Sequence, residues 1–179
     1  MSRGPHRQAG LSIFEVTLVV ILVGILMVIA MEKILRLDVD AERVALQQTI
    51  GQLQSALVIE FADRVVHEGL AATRDLEAIN PMSVLAKAPA TYIGEFDQSV
   101  PPGVAGGDWY FDTRSRTLVY VVRNTEFFEG ALGDPERARF RVRLAFEDRN
   151  GNGRYDAPRE RIEGVIIEPV EPYRWKRPA

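Results

Sequence analysis

Oxygen-bearing side chains recur at Asp148, Asn150, Asn152 and Asp156, the first, third, fifth and ninth positions of a loop whose sixth residue is Gly153. Hard divalent cations take such ligands, a glycine at the sixth position permits the sharp turn, and the seventh position would add the backbone carbonyl of Arg154. The pattern reads as the early half of a calcium loop over 148–160. Its twelfth position is Arg159 rather than a bidentate Glu, with Glu160 one residue later, and no helix pair is expected around it. The plain alternative is a polar turn, since Asn-Gly pairs favour hairpins. A second cluster, Tyr173, Arg174, Trp175, Lys176 and Arg177, interleaves rings with cations. Stacking plus phosphate contact is how single-stranded nucleic acid is often held. The alternative is a solvated end that packs one ring on the body. The third group is a lone carboxylate, Glu15, inside an otherwise apolar run.

Enzyme chemistry finds little footing. The histidines are His6 and His67, there is no cysteine, and no Gly-x-Ser-x-Gly elbow, phosphate loop or zinc spacing occurs. His67 ends an apolar helix stripe and reads as a surface or satisfied residue. Asp108 and Asp112 flank Trp109-Tyr110-Phe111; strand alternation puts Asp108, Tyr110 and Asp112 on one face, expected to be a wet sheet surface rather than a catalytic carboxylate pair. The chain is therefore expected not to be an enzyme. It carries 22 Lys and Arg against 25 Asp and Glu, a net charge of −3, and this mildly acidic balance gives no general reason to expect nucleic-acid binding.

The elements that must position these groups follow from periodicity. Leu46, Ile50, Leu53, Leu57, Phe61 and Val65 recur at spacings of three and four, one apolar face of an amphipathic helix. No proline interrupts 11–67, so one long helix is expected, its half over 11–31 apolar and its half over 32–68 amphipathic, ended by Gly69. Prolines and glycines make 69–107 connecting-loop chemistry. Within it Asn80 can cap a short helix with Pro81 at its first position, continuing through Lys87. Residues 108–179 read as a sheet region. Trp109-Tyr110-Phe111 and Thr117 to Val122 form a hairpin across Asp112–Arg116. From Arg139 the chain alternates, with Arg139, Arg141 and Arg143 opposite Phe140, Val142 and Leu144, a half-buried strand with a basic outer face; Gly164–Glu168 makes a last strand. Three or four antiparallel strands laid on the amphipathic half-helix give an α+β fold.

The residues before the helix carry further information. A short leader with Arg3, His6 and Arg7 ends at Gly10, and about 21 apolar residues follow, enough helix to cross a hydrocarbon core of roughly 30 Å. By the positive-inside tendency, the N-terminus starts in the cytoplasm and the body lies outside. A secretory signal would need a shorter apolar core and a small-residue cleavage site after it, and no A-x-A site follows. A plain uncleaved anchor is the stronger alternative. A carboxylate within such a segment costs on the order of 2.5–3.5 kcal/mol near the bilayer centre, which makes Glu15 a functional candidate.

Gly10 followed by Leu11-Ser12-Ile13-Phe14-Glu15 resembles the processing site of type IV pilins and type II secretion pseudopilins. The resemblance implies cleavage by a membrane-embedded prepilin peptidase between Gly10 and Leu11 and methylation of Leu11. It also implies an assembly role for Glu15, which would meet the charged N-terminus of a neighbouring subunit. Opposite charges in low dielectric relieve each other's desolvation. It further implies a pilin-like helix-on-sheet fold, and a minor pilin or pseudopilin in a pilus or secretion filament. The partners would be like subunits and an inner-membrane assembly platform, and the body would be periplasmic before entering the filament. Asp-Asn-Gly loops after a sheet strand are similar to those with which some pseudopilins bind calcium. The alternative on the same scaffold is a binding subunit, an adhesin or DNA-uptake protein, using the sheet face or the basic tail. Two departures stand out: the disulfide of many pilins is absent, and Glu32 stands where many bear a kinking proline.

Overall fold

The structure, a computed structural model, describes residues 12–153, 155–156 and 160–176. Gly10, Leu11, Arg154, Arg159 and Arg177, singled out above, lie outside the described residues. The chain divides into two units, Met1–Asp40 and Ala41–Ala179. It is α+β, with one long N-terminal helix and a mixed five-stranded sheet.

Helix α1 runs from Ile13 to His67. With no proline inside it, its hydrogen-bond ladder has no built-in break. Gly69, at φ 87°, turns the chain out of the helix in a conformation that costs a Cβ-bearing residue more than glycine. Within the second unit the stripe Leu46, Leu53 and Leu57 is fully buried, with Ile50 and Phe61 half-buried beside it. Facing it are Trp109, Phe111, Leu118, Tyr120, Phe140, Val142, Leu144, Val165 and Ile167. A fully buried leucine contributes about 1.5–3 kcal/mol, so this stripe is the main attachment of helix to sheet.

The strands are β1 (Tyr92–Phe96), β2 (Trp109–Asp112), β3 (Thr117–Val121), β4 (Phe128–Glu129), β5 (Arg137–Phe146), β6 (Ile162–Pro169) and β7 (Arg174–Trp175). The main sheet has the order β1-β2-β3-β5-β6, and β4 pairs with β7 in a separate ribbon. Every pair in the main sheet is antiparallel except β1–β2, so the all-antiparallel expectation is corrected. Parallel pairing needs a crossover of about a dozen residues, and 97–108 supplies it.

That crossover also overturns the expected wet face of β2. Tyr110 and Asp112 are buried at 0% and 4% exposure. Tyr110 packs with Val119 and Val121 under Phe96 and Val104, and its hydroxyl donates to the Ser99 carbonyl on the crossover. Alternation puts Tyr110 and Asp112 on one face of β2, and the crossover decides that this face is dry; Asp108, half-buried, lies just before the strand. The connecting region is more ordered than loop chemistry suggested: a 3-10 helix spans Leu70–Ala78, burying Thr73 and Leu76. The short helix after Asn80 is a 3-10 turn over Pro81–Val84 and does not reach Lys87; Asn80 Oδ1 does accept the Met82 N–H, at 2.9 Å.

Candidate functional site

The helix segment Ile13–Met31 is long and apolar enough to cross a membrane, with mean hydropathy 2.9 and none of it buried within the chain. Its large apolar side chains are 47% (Val16) to 88% (Ile13) exposed. Exposed apolar surface of this extent is the kind that marks a membrane or protein contact. Glu15 is exposed in the first turn, where the helix dipole favours an anion. Ser12 Oγ accepts the Phe14 N–H at 3.2 Å, and Thr17 Oγ1 donates to the Ile13 carbonyl at 2.8 Å, so the neighbouring hydroxyls are satisfied locally.

The loop after β5 is organised around carboxylates. Asp148 accepts the Gly151 and Gly153 N–H groups at 2.7 and 2.8 Å, with both glycines at positive φ (71° and 69°). The Gly153 N–H above all, helped by the other loop amides against a smaller desolvation effect, holds the Asp148 carboxyl below its ordinary range. The Asn150 and Asn152 amides both donate to Asp156 Oδ2, at 2.8 and 2.7 Å. Buried Glu160 accepts the N–H groups of Asp156 (2.8 Å) and Arg149 (3.2 Å), pinning the loop's two ends together. No cluster of three His, Cys, Asp or Glu suited to a metal occurs among the described residues. The donors are nevertheless all oxygen, the chemistry calcium takes. As placed, both asparagine amides turn N–H2 groups toward Asp156, and Asn150 Oδ1 accepts the Asn152 N–H at 3.0 Å.

The aromatic–cationic tail is drawn into the fold. Arg174 and Trp175 form β7 against β4. Trp175 packs edge-on to Phe128, with ring centroids 5.2 Å apart, and Tyr173 stacks on the same ring at 5.5 Å. Glu129 takes both cations, Arg174 Nε at 3.0 Å and Lys176 Nζ at 3.1 Å, and Arg174 first, then Lys176, lowers its pKa. The Arg174 and Lys176 side chains remain 77% and 47% exposed beside Glu129. His67 stays at the surface beside Asp63, 3.1 Å away. On the sheet's outer face Arg139 pairs with Glu171 and Arg143 with Glu168.

Two polar groups escaped the sequence reading. Glu42, only 7% exposed, accepts from the Tyr120 hydroxyl (2.7 Å), the N–H groups of Arg123 (2.7 Å) and Asn124 (3.0 Å), and Asn124 Nδ2 (2.6 Å). Gln54 spans the free edge of β6, donating to the Val165 carbonyl at 2.8 Å and accepting the Ile167 N–H at 2.9 Å. A signal existed for both. Glu42 stands four residues before Leu46 and Gln54 four after Ile50, on the very stripe that the apolar period marks.

Comparison with protein-family models, with curated proteins and with solved structures gives no match to this chain.

Proposed function

We propose that the chain is a structural subunit, a minor pilin or pseudopilin, of a type IV pilus or type II secretion filament. It is cut after Gly10 by prepilin peptidase, methylated on Leu11 and assembled through its N-terminal helix. The observation that carries this reading is Glu15, the only charged side chain within the exposed apolar segment Ile13–Met31. An unpaired carboxylate there is costly in lipid, and a neighbouring subunit's N-terminal ammonium would neutralise it. The bundle of such helices would bury the apolar surface that the isolated chain leaves bare. The body would lie in the periplasm until the inner-membrane platform extrudes the filament, and the action is mechanical rather than catalytic. Calcium would be held by Asp148, Asn150, Asn152 and Asp156, with the carbonyl of Arg154 as a further ligand, and would order the segment between β5 and β6. The adhesin or DNA-uptake alternative gains no support from the tail, whose Arg174 and Lys176 are paired with Glu129.

The test is the intact mass and N-terminal sequence of the protein purified from membranes with and without prepilin peptidase. A start at N-methylated Leu11 that depends on the peptidase is expected. A start at Met1 in both strains means a plain anchored domain and overturns the proposal. In the same system Glu15→Ala should insert and be cleaved but fail to enter filaments; assembly equal to wild type would sink the charge-pairing account.

A further inference from the structure

A notch opens along one edge of β5. The pairing of β3 with β5 ends at Leu118↔Phe140, and farther along β5 the Leu144 N–H is taken by Glu77 Oε1 at 2.9 Å. Between those points lies a cleft of about 490 Å³ lined by Glu77, Ser115, Arg116, Arg141, Val142 and Arg143. The Val142 side chain belongs to the core, so it borders the cleft with its backbone. Three guanidiniums thus share a space beside the short stretch of β5 around Val142, between its pairing with β3 and the Leu144 N–H held by Glu77.

The arginines differ in what already occupies them. Arg143 bonds Glu168 at 3.2 Å with both side chains nearly half exposed. Arg116 and Arg141 are exposed, and neither has an ion-pair partner among the described residues. Arg116 is also the one non-glycine residue with positive φ (53°) among them. Glycine adopts that conformation at less cost, so the position carries a guanidinium at the expense of backbone strain. Its turn is held rigidly. Asp112, itself buried, accepts the Arg114 N–H (3.0 Å), the Ser115 N–H (3.3 Å) and the Ser115 hydroxyl (2.6 Å), and the Ser115 and Thr117 hydroxyls lie 2.7 Å apart. With the turn fixed, only the Arg116 side chain has to be ordered on meeting an anion.

Charge selects the anion. Three arginines face two acids, Glu77 within the notch and Glu168 on Arg143, leaving one net positive charge. That excess draws an anion, and Arg116 and Arg141 can each take one carboxylate. Guanidinium matches carboxylate with two parallel hydrogen bonds. We propose that this notch docks an acidic peptide, an extended Asp- or Glu-rich segment of a partner polypeptide whose carboxylates engage Arg116 and Arg141. The proposal does not depend on the filament reading.

The test uses the full chain in nonionic detergent and a fluorescent hexaglutamate peptide, with hexaglutamine as the uncharged control, read by anisotropy. R116G removes the guanidinium and supplies the residue that the backbone prefers, so the turn stays folded. R141Q removes the second cation, and R114Q, on the same turn but outside the cleft, is the control. R116G and R141Q should each weaken hexaglutamate binding about tenfold, the scale of one charge-assisted hydrogen bond, while R114Q leaves it unchanged. Hexaglutamine binding as tightly as hexaglutamate, or R116G binding like wild type, overturns the proposal. So does a loss in R114Q equal to that in R116G, which would mean a diffuse basic surface. Displacement of hexaglutamate by low-millimolar inorganic phosphate would reassign the notch to small anions and overturn it as well.

Discussion

Replacing Glu42 should unlock the junction between α1 and the loop after β3. Its carboxylate serves four donors, two of which, the Tyr120 hydroxyl and the Arg123 N–H, share Oε1. The other two, the N–H and side-chain amide of Asn124, share Oε2. In Glu42→Ala the Tyr120 hydroxyl is stranded in a site where that residue is 5% exposed. The Asn124 groups, only part-buried, can turn to water. A stranded buried donor costs about 1–3 kcal/mol and a hydrogen bond to a charged group is worth about 1.5–3 kcal/mol, so a net loss of about 3 kcal/mol is expected. Glu42→Gln keeps one carbonyl oxygen for Tyr120 and Arg123 but sets an N–H2 against the two Asn124 donors, for a loss of about 1.5 kcal/mol. The assay is urea unfolding of the full chain in nonionic detergent, followed by tryptophan fluorescence. That signal reports Trp109 against Tyr120 (4.8 Å) and Trp175 against Phe128 (5.2 Å), both inside the folded body. Glu42→Ala within about 1 kcal/mol of wild type, or Glu42→Gln as damaging as Glu42→Ala, would refute the reasoning.

The same clamp gives an alkaline signature. Burial, then the hydrogen bond to Glu42 and its charge, raises the Tyr120 pKa above the usual 10.0. The folded state keeps a proton that the unfolded chain releases, so this stability is complete below about pH 10 and is lost as pH rises above it. Tyr120→Phe should flatten the fall in stability between neutral and strongly alkaline pH, and an unaltered slope would argue against it. Gln54→Leu should expose the Val165 carbonyl and Ile167 N–H on the β6 edge, cost about 2 kcal/mol and promote edge-to-edge association. Sedimentation of that variant as a monomer with unchanged stability would contradict the capping role. Calcium titrated calorimetrically into the full chain should release or absorb heat beyond a magnesium control, and Asp148→Ala should abolish the difference. Heat equal to the magnesium control would remove calcium from the account.

Local periodicity made the long helix and the strands β2, β3 and β5 legible, because a 3.6-residue or two-residue repeat is written in neighbouring side chains whatever they later touch. The apolar span and Glu15 within it belong to the same class of information, as does the alternation that sets Arg139, Arg141 and Arg143 on one side of β5. Tertiary structure decided what periodicity leaves open. Tyr92–Phe96 becomes a strand only by parallel pairing with β2, a partner beyond a long crossover, and that crossover turns the face of Tyr110 and Asp112 from wet to dry. Arg174 and Trp175 join the fold because Phe128 and Glu129, distant in sequence, form the other half of their ribbon. Glu42 and Gln54 look like ordinary polar residues until the sheet arrives with unsatisfied donors and a bare edge. A polar group's role depends on the partner that desolvates it, and that partner is chosen by the fold rather than by the neighbouring sequence.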